Sequence, residues 1–368
     1  MKICIDARMV NNSGIGVYVK KYVSALLLDN QLEVTLIGVK NDLLKIFDSK
    51  HATYIDASFP IYSIYEQLIL PFIIPSCDVF WSPHYNIPFI TPRAKKHLVT
   101  IPDIYHLANI DTLKFHQRFY ARFVTKFATT KADKLITISE FSKKEITKYI
   151  RVDEKKISVV YLGIDKVKFR KITSENIINR TKIAYNLPEE FILYVGNIKP
   201  NKNLRRLVEA FETILNDFPS VMLVITGKKN GFINGDPALF NYINSNNRLL
   251  SRIVFTGFVE DEDLPTLYSL AKLFVFPSTY EGFGFPPLEA MACECVTVVS
   301  SASSIPEVCG EASYYVNPFK PSEIADGIRT MLSNPELRES SLQLGKLNLK
   351  RFSWNTSITE FVEILKNI

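Results

Sequence analysis

Cysteine is scarce: a chain of 368 residues carries five, Cys4, Cys77, Cys293, Cys295 and Cys309. The count is odd and no spacing matches a metal-ligand set, which argues against a disulfide-stapled scaffold or a structural metal site and points to a reducing cytoplasm. Long apolar runs are also missing. None approaches the ~18 residues of a membrane span, and the run near Leu70 is broken by Pro71 and Pro75. The amino terminus, MKICIDARMV, turns polar at Asp6, so it does not read as a signal peptide. There is no internal repeat, no low-complexity tract and no complete three-glycine dinucleotide fingerprint.

What is present suffices for about two domains. Apolar residues make up 47% of the chain, ample for two cores. The net charge of +6 hides an asymmetry. Residues 1–180 hold 27 Lys+Arg against 17 Asp+Glu, whereas residues 181–368 hold 17 against 21. A basic first half suits an anionic partner. The partner expected here is a membrane surface rather than a nucleic acid.

The most informative stretch runs from Leu273 to Ala292, LFVFPSTYEGFGFPPLEAMA. Leu273–Phe276 is a short apolar run ended by Pro277, so it reads as a strand. Gly282 and Gly284 make a turn where backbone can approach a ligand. Pro286 and Pro287 suit the start of a helix that Leu288 to Ala292 continue. Glu281 then lies in a loop at the carboxyl end of a strand, and Glu289 in the first turn of the next helix. In open α/β sheets ligands bind at that end. Each carboxylate can accept hydrogen bonds from vicinal hydroxyls of a sugar or ribose, and the amides of Gly284 and Phe285 suit oxygens or phosphate. Taken singly, Glu281 reads equally well as a surface charge and Glu289 as a complement to the helix dipole; the glycine-proline frame favours a ligand.

This segment resembles the Glu-x7-Glu signature of the retaining glycosyltransferases of family four. The resemblance implies an α/β, GT-B fold, with two Rossmann-like domains facing each other across a cleft. On this chain they would be residues 1–180, holding the acceptor, and 181–352, holding the nucleotide-sugar donor. Residues 353–368 would form a helix crossing back to the first domain. It also implies that Glu281 contacts donor-sugar hydroxyls and Glu289 the nucleotide ribose. Gly282, Phe283, Gly284, Phe285 and Leu288 would complete that side of the donor site.

In the first half, Lys2–Ala7 reads as a strand, Asn11 to Gly16 as a glycine turn and Val17–Leu28 as a helix. That layout presents backbone N–H groups to phosphate, and the resemblance places Gly14 and Gly16 near the donor diphosphate. Tyr62–Leu70 is predicted helical. Asp78–His84 reads as a strand and its carboxyl-end loop, making His84 a candidate acceptor contact or, equally, a structural loop histidine. Many family members have His-Asp where this chain has Pro102-Asp103; Asp103 and His106 are the catalytic candidates there. Residues 113–127, LKFHQRFYARFVTKF, carry two stripes at four-residue spacing. Each drifts only ~40° per step on a helix. Phe115, Phe119, Phe123 and Phe127 are expected in the core. Lys114, Arg118, Arg122 and Lys126 form a basic ribbon suited to an anionic membrane, with Arg118 and Arg122 as candidate acceptor contacts.

A polar linker is expected over about residues 166–188. The strand Phe191–Gly196 then opens the second domain, followed by a polar loop to Asn203 and a helix from Leu204. A lysine just before a helix opposes the helix dipole, unless it shares an anion with the helix amides. In the family the lysine matching Lys202 binds donor phosphate. Its usual basic neighbour is replaced here by Asn197 or Asn201, which leaves Lys199 or Arg205 as substitutes. Phe258 and Val259 match a turn that packs on the nucleotide base, and Gly196 and Asn197 line the donor site.

The resemblance therefore implies a cytoplasmic, metal-independent, retaining glycosyltransferase without a cofactor, bound peripherally at the inner membrane face. The run GNIKPNKN resembles mannosyltransferases of bacterial surface polysaccharides, so the expected donor is GDP-mannose and the acceptor a polyprenyl-diphosphate-linked glycan. A UDP-sugar donor is the first alternative. A nucleotide-sugar 2-epimerase and a catalytically silent nucleotide-binding scaffold are the others.

Overall fold

Two separate parallel sheets organise the chain in the computed structural model, which describes residues 1–61, 63–85, 87–90, 93–110, 115–227 and 236–368. Contacts divide it into two units. Unit 1 comprises Met1–Gly163 and Trp354–Ile368, and unit 2 comprises Ile164–Ser353.

Unit 1 carries β1 (Lys2–Asp6), β2 (Glu33–Gly38), β3 (Ala52–Asp56), β4 (Cys77–Ser82), β5 (Ala94–Thr100), β6 (Lys134–Thr137) and β7 (Ile157–Val159). Its helices are α1 (Ser13–Leu26), α2 (Lys40–Phe47), α3 (Ile64–Ile73), α4 (Tyr105–Ala108), α5 (Phe115–Lys131) and α6 (Glu140–Ile150). The sheet order is β3-β2-β1-β4-β5-β6-β7 and every ladder is parallel. The central strands are buried on both faces, the pattern expected when helices cover a parallel sheet. The chain leaves β1 for β2 on one side and later returns to place β4 on the other. The switch point therefore lies between β1 and β4, at the strand ends carrying Asp6 and Ser82.

The last helix, Trp354–Lys366, completes this unit by packing on α1. The Phe361 ring stacks on Tyr22 at 4.4 Å and lies 4.6 Å from Trp81. The hydroxyls of Tyr22 and Ser357 share a hydrogen bond of 2.7 Å.

Unit 2 carries β8 (Phe191–Val195), β9 (Met222–Thr226), β10 (Ile253–Gly257), β11 (Leu273–Phe276), β12 (Thr297–Ser300) and β13 (Tyr314–Val316), in the order β10-β9-β8-β11-β12-β13, again all parallel. The switch point falls between β8 and β11. The helix α7 (Glu175–Tyr185) precedes the sheet, and α8 (Leu204–Ile214) follows β8. In α8, Leu204, Leu207, Val208, Phe211 and Ile214 recur at helical spacing and are all buried in the unit 2 core.

Three expectations need correction. Residues 164–180 belong to unit 2, not to the first domain. Lys168 pairs with Asp261 at 2.9 Å, Lys171 Nζ donates to the Ser269 carbonyl at 2.6 Å, and Phe169 packs edge-on to Tyr268. The polar linker contains α7, a surface helix with only Thr181 buried, tied down by Arg180 to Asp263 and by the Tyr185 hydroxyl to Asp263 at 3.0 Å. Its polar composition reflects exposure, not lack of structure. The phenylalanine stripe of α5 is not core: Phe115, Phe119 and Phe123 are exposed, and only Phe127 is half-buried. The core side of α5 is supplied instead by Val124 and Ala128. The short strands β3 and β13 gave no clear pattern in the sequence. Lys114 lies outside the described residues, as does Tyr62.

Phe361→Ala should lower the unfolding free energy by about 3–5 kcal/mol, the usual cost of emptying a buried aromatic site. Denaturant titration of the intact chain checks this.

Candidate functional site

The loops after β8 and β11 meet at the unit 2 switch point. Pro200–Lys202 forms one 3-10 turn, and Asn203 adopts the left-handed conformation before α8. Asn201 stitches this loop to the one after Phe276. Its Nδ2 donates to the Tyr280 carbonyl at 3.0 Å, while its own carbonyl accepts from the Thr279 amide at 2.7 Å and the Ser278 hydroxyl at 2.8 Å. The result brings Lys202 Nζ to 2.5 Å from Glu281 Oε1, which also accepts from Ser278 Oγ at 2.6 Å. The Lys202 ammonium lies 5.3 Å from the Phe276 ring centroid. Both charged side chains are mostly buried, 20% and 14% exposed, so their attraction is less screened than on an open surface. The dipole conflict at Lys202 is thus relieved within the chain, by Glu281.

The turn after Glu281 is held by serines that sequence reasoning missed. The Glu281 amide donates to Ser303 Oγ at 3.1 Å, and Ser304 Oγ bonds the carbonyls of Glu281 at 2.9 Å and Phe283 at 2.8 Å. Gly284 has a φ of +116°, and a Cβ there would lie 2.7 Å from Ile305 Cδ1, so this position needs glycine. It caps the helix Phe285–Ala292, whose Leu288 is buried. Glu289 falls in the second turn of that helix, not the first. Its Oε2 accepts from the buried Tyr268 hydroxyl at 3.0 Å. Burial pushes the Glu289 carboxyl up to about 7, and the Tyr268 bond and Lys168 offset this only in part.

Gly196 directly follows β8, its amide bonded to the Thr226 carbonyl at 3.2 Å, and the Asn197 carbonyl accepts from Lys199 N. Phe258 is exposed and Val259 buried, after Gly257 in the left-handed region. Arg205 pairs with Glu209 along α8 at 3.0 Å, an exposed pair.

Unit 1 gathers a second polar cluster at its own switch point. Arg8 Nε and Nη2 donate to the two Asp6 oxygens at 2.8 and 2.6 Å, and Nη2 also reaches Glu66 on α3. His84 Nε2 lies 3.7 Å from Asp6 Oδ2, and all four side chains are buried. Burial by itself would raise the Asp6 carboxyl; Arg8 and His84 hold it well below the usual carboxylate range. Asp6, Arg8 and Glu66 were not expected here. A carboxylate ending a buried strand and another opening an apolar helix are the signals that could have found them.

Gly14 and Gly16 lie inside the first turn of α1, which starts at Ser13, so the expected free glycine turn is helical. A Cβ on Gly16 would come within 2.4 Å of the Val10 carbonyl oxygen, whereas Gly14 has open space. Asp103 accepts from the Tyr105 amide at 2.9 Å, two residues ahead of α4. His106 stacks on Tyr85 at 4.5 Å, its Nε2 sits 3.1 Å from Thr125 Oγ1, and burial pushes its pKa down to about 4. It is therefore neutral at pH 7. Arg118 and Arg122 lie on α5, half-buried and exposed. Asp103, His106, His84 and these arginines are in unit 1, while Lys202, Glu281 and Glu289 are in unit 2. Among the described residues no group of three His, Cys, Asp or Glu is placed to hold a metal ion, and no helix is long and apolar enough to cross a membrane.

Comparison with known proteins agrees with this architecture. Residues 176–346 match the family Glycosyl transferases group 1, and residues 34–168 match Glycosyltransferase Family 4. Over 295 residues the chain is 28% identical to O-antigen chain mannosyltransferase B of Escherichia coli, covering 78% of this chain and 74% of that one. It is 28% identical to the serotype-specific mannosyltransferase WbdA of Escherichia coli over 77% of this chain, but spans only 37% of that longer protein. Among solved structures, sucrose-phosphate synthase from Thermosynechococcus elongatus superposes with a TM-score of 0.78 at 19% identity, covering 100% of this chain and 98% of that one. Anabaena Alr3699/HepE, solved with UDP and glucose, superposes at 0.77 with 18% identity, covering 100% and 99%. Two parallel α/β units of this kind, with these structural neighbours, are the GT-B fold, and the two matched family models make the chain a glycosyltransferase. More narrowly, the chain belongs to the group-1 glycosyltransferases and resembles the O-antigen mannosyltransferases.

The raised Glu289 pKa has a defined sign. The folded state keeps a proton that the unfolded chain releases, so this group's stabilisation is full below about pH 4.5 and is lost as pH rises towards about 7. Glu289→Gln should remove that slope, at most ~1.4 kcal/mol per pH unit. Denaturant melts of both proteins across this range give the difference.

Proposed function

We propose that this glycosyltransferase moves mannose from GDP-mannose, with retention, to a lipid-linked or polysaccharide acceptor in the synthesis of an O-antigen, capsule or exopolysaccharide. The observation that carries the reading is the Lys202–Glu281 pair at the unit 2 switch point, beside the amino terminus of helix Phe285–Ala292. The donor's diphosphate takes Lys202 as its counter-charge, aided by the helix-terminal amides. Glu281, whose bonds among the described residues fall on Oε1, offers Oε2 to the donor sugar's hydroxyls. Glu289, with Tyr268 fixing its orientation, takes the ribose.

The departing diphosphate accepts the proton of the acceptor hydroxyl on the same face of the sugar, which preserves configuration without a paired acid and base. Lys202 stabilises the charge that develops there, in a mostly buried setting where such stabilisation is strong. No metal is assigned to this step. The acceptor belongs to unit 1, at the end of the sheet where His84, Asp103 and His106 lie, and the enzyme works at the inner membrane face. The names of the Escherichia coli relatives support mannose; the UDP and glucose held by the Anabaena neighbour support a UDP-sugar as the second reading.

A thermal-shift panel with GDP, UDP, GDP-mannose and UDP-glucose, with and without magnesium, separates these. A ligand at 100 times its Kd adds about 2.7 kcal/mol of apparent stability. The expected outcome is stabilisation by the GDP compounds alone and without magnesium. Stabilisation by UDP compounds alone would replace the donor, and no shift with any nucleotide would favour a silent scaffold. Glu281→Ala should lower transfer by about 10²–10³-fold, the scale of losing one key polar contact at a reacting centre. GDP binding should persist in that variant; unchanged turnover would remove Glu281 from the reaction.

A further inference from the structure

At the carboxyl edge of the unit 1 sheet, one histidine is held by a single nitrogen. His106 lies on α4, which follows β5. Its neighbours Ile104 and Leu107 are buried in one cluster with Ala128 of α5, and this packing seats α4 on α5. His106 Nε2 then sits 3.1 Å from Thr125 Oγ1. The imidazole stacks on Tyr85, in the loop after β4, with ring centroids 4.5 Å apart. Tyr85 also meets His84 edge-on at 6.3 Å, so the two histidines flank one phenol ring.

Thr125 decides which His106 nitrogen carries the proton. It is fully buried, and its Oγ1 donates to the Ala121 carbonyl, four residues back, at 2.8 Å. A carbonyl can only accept, and a hydroxyl has one proton to give. Towards His106, then, Thr125 Oγ1 can only accept, and Nε2 must be the protonated nitrogen. Burial keeps the ring neutral at pH 7, so Nδ1 is left with a lone pair. Nδ1 has no hydrogen-bond partner among the described residues. Nor is it sealed off. His97 Nδ1 is enclosed without a partner, whereas the His106 ring is half-buried and its Nδ1 is not enclosed.

A fixed, neutral lone pair selects what it binds. It accepts a hydrogen bond from a hydroxyl. It offers nothing to the oxygens of an ionised phosphate or carboxylate, which themselves only accept. A sugar, whose surface is mostly hydroxyl, is the ligand class that fits.

We propose that His106 Nδ1 receives a hydroxyl of the acceptor sugar, and that Thr125 is the positioning residue that holds the imidazole in the Nε2–H form for this contact. Thr125 itself does not touch the sugar; it acts through His106. The proposal deepens the reading of a glycan acceptor held by unit 1 and rests on it for the kind of sugar.

The test is nitrogen NMR of the full chain carrying isotope-labelled histidine, titrated with methyl α-D-mannopyranoside or methyl α-D-glucopyranoside. His106→Phe, which keeps a ring against Tyr85, assigns the resonances. Wild type should show the His106 proton on Nε2, and the Nδ1 resonance should move as sugar is added. Thr125→Val should give a mixture of the two tautomers and raise the Kd read from the titration about fivefold, the scale of one neutral hydrogen bond. Thr125→Ser, which keeps the hydroxyl, should restore both. Adding Thr125→Val to His106→Phe should weaken sugar binding no further, because the two residues act as one unit. Circular dichroism reports folding, and Thr125→Ala replaces Thr125→Val if the latter does not fold. A proton found on Nδ1 in wild type, or an Nδ1 resonance unmoved by either sugar, would overturn the proposal. So would an equal loss on Thr125→Val with and without His106, since Thr125 would then serve packing alone. A moving Nδ1 resonance without any nucleotide thermal shift would leave the sugar site standing and remove the transferase reading. A nucleotide shift beside an unmoved Nδ1 would remove this proposal alone.

Discussion

The bond between Lys202 and Glu281 is the constraint around which unit 2 is arranged. Each residue follows the end of a strand, and the two strands, β8 and β11, are neighbours only because the chain crosses over between them. A parallel sheet with a switch point leaves two loops side by side at its carboxyl edge. Asn201 and Ser278 then fix those loops to each other, and Ser303 and Ser304 fix the turn that follows. A lysine and a glutamate this short of water would cost much if either stood alone. Paired, they hold opposite charges ready at one place, one suited to phosphate and the other to sugar hydroxyls.

Unit 1 solves a similar problem with a tighter cluster. Asp6, Arg8 and Glu66 are buried together, and Arg8 ties the end of β1 to the start of α3. Buried ion pairs are not a general source of stability, because desolvation offsets their attraction. Here the cluster fixes geometry instead: it sets where α3 begins and which side of that helix faces in. With Glu66 turned inward to Arg8, the apolar residues at Tyr65, Leu68, Ile69 and Phe72 are left outside. The buried ion cluster and the exposed apolar face are thus two sides of one helix.

Much of this was legible beforehand, and the misses have physical causes. The strand–turn–helix around Glu281 could be read because Leu273–Phe276, the glycines and Pro286–Pro287 act locally and agree with one another. Lys202 could be suspected from its clash with the helix dipole, although the partner that relieves the clash is seventy-nine positions away. The α5 phenylalanines were misplaced because periodicity shows that residues share a face, not whether that face is covered. The segment 166–188 was misread because a surface helix and a linker share a polar composition. Arg8 and Asp6 escaped notice because a bidentate pair two residues apart looks like any two charges until the strand end buries it.

What the sequence determined by itself is local: the parallel α/β class, the main strands, the Glu-x7-Glu frame and the basic character of the first half. These follow from spacing, turn chemistry and composition, which act over a few residues. Tertiary structure alone decided which charges meet. It paired Lys202 with Glu281, set Tyr268 on Glu289, closed Asp6 and Glu66 on Arg8, and turned the apolar faces of α3 and α5 outward. Burial and long-range pairing depend on the crossover order of the strands, and no local pattern encodes that order.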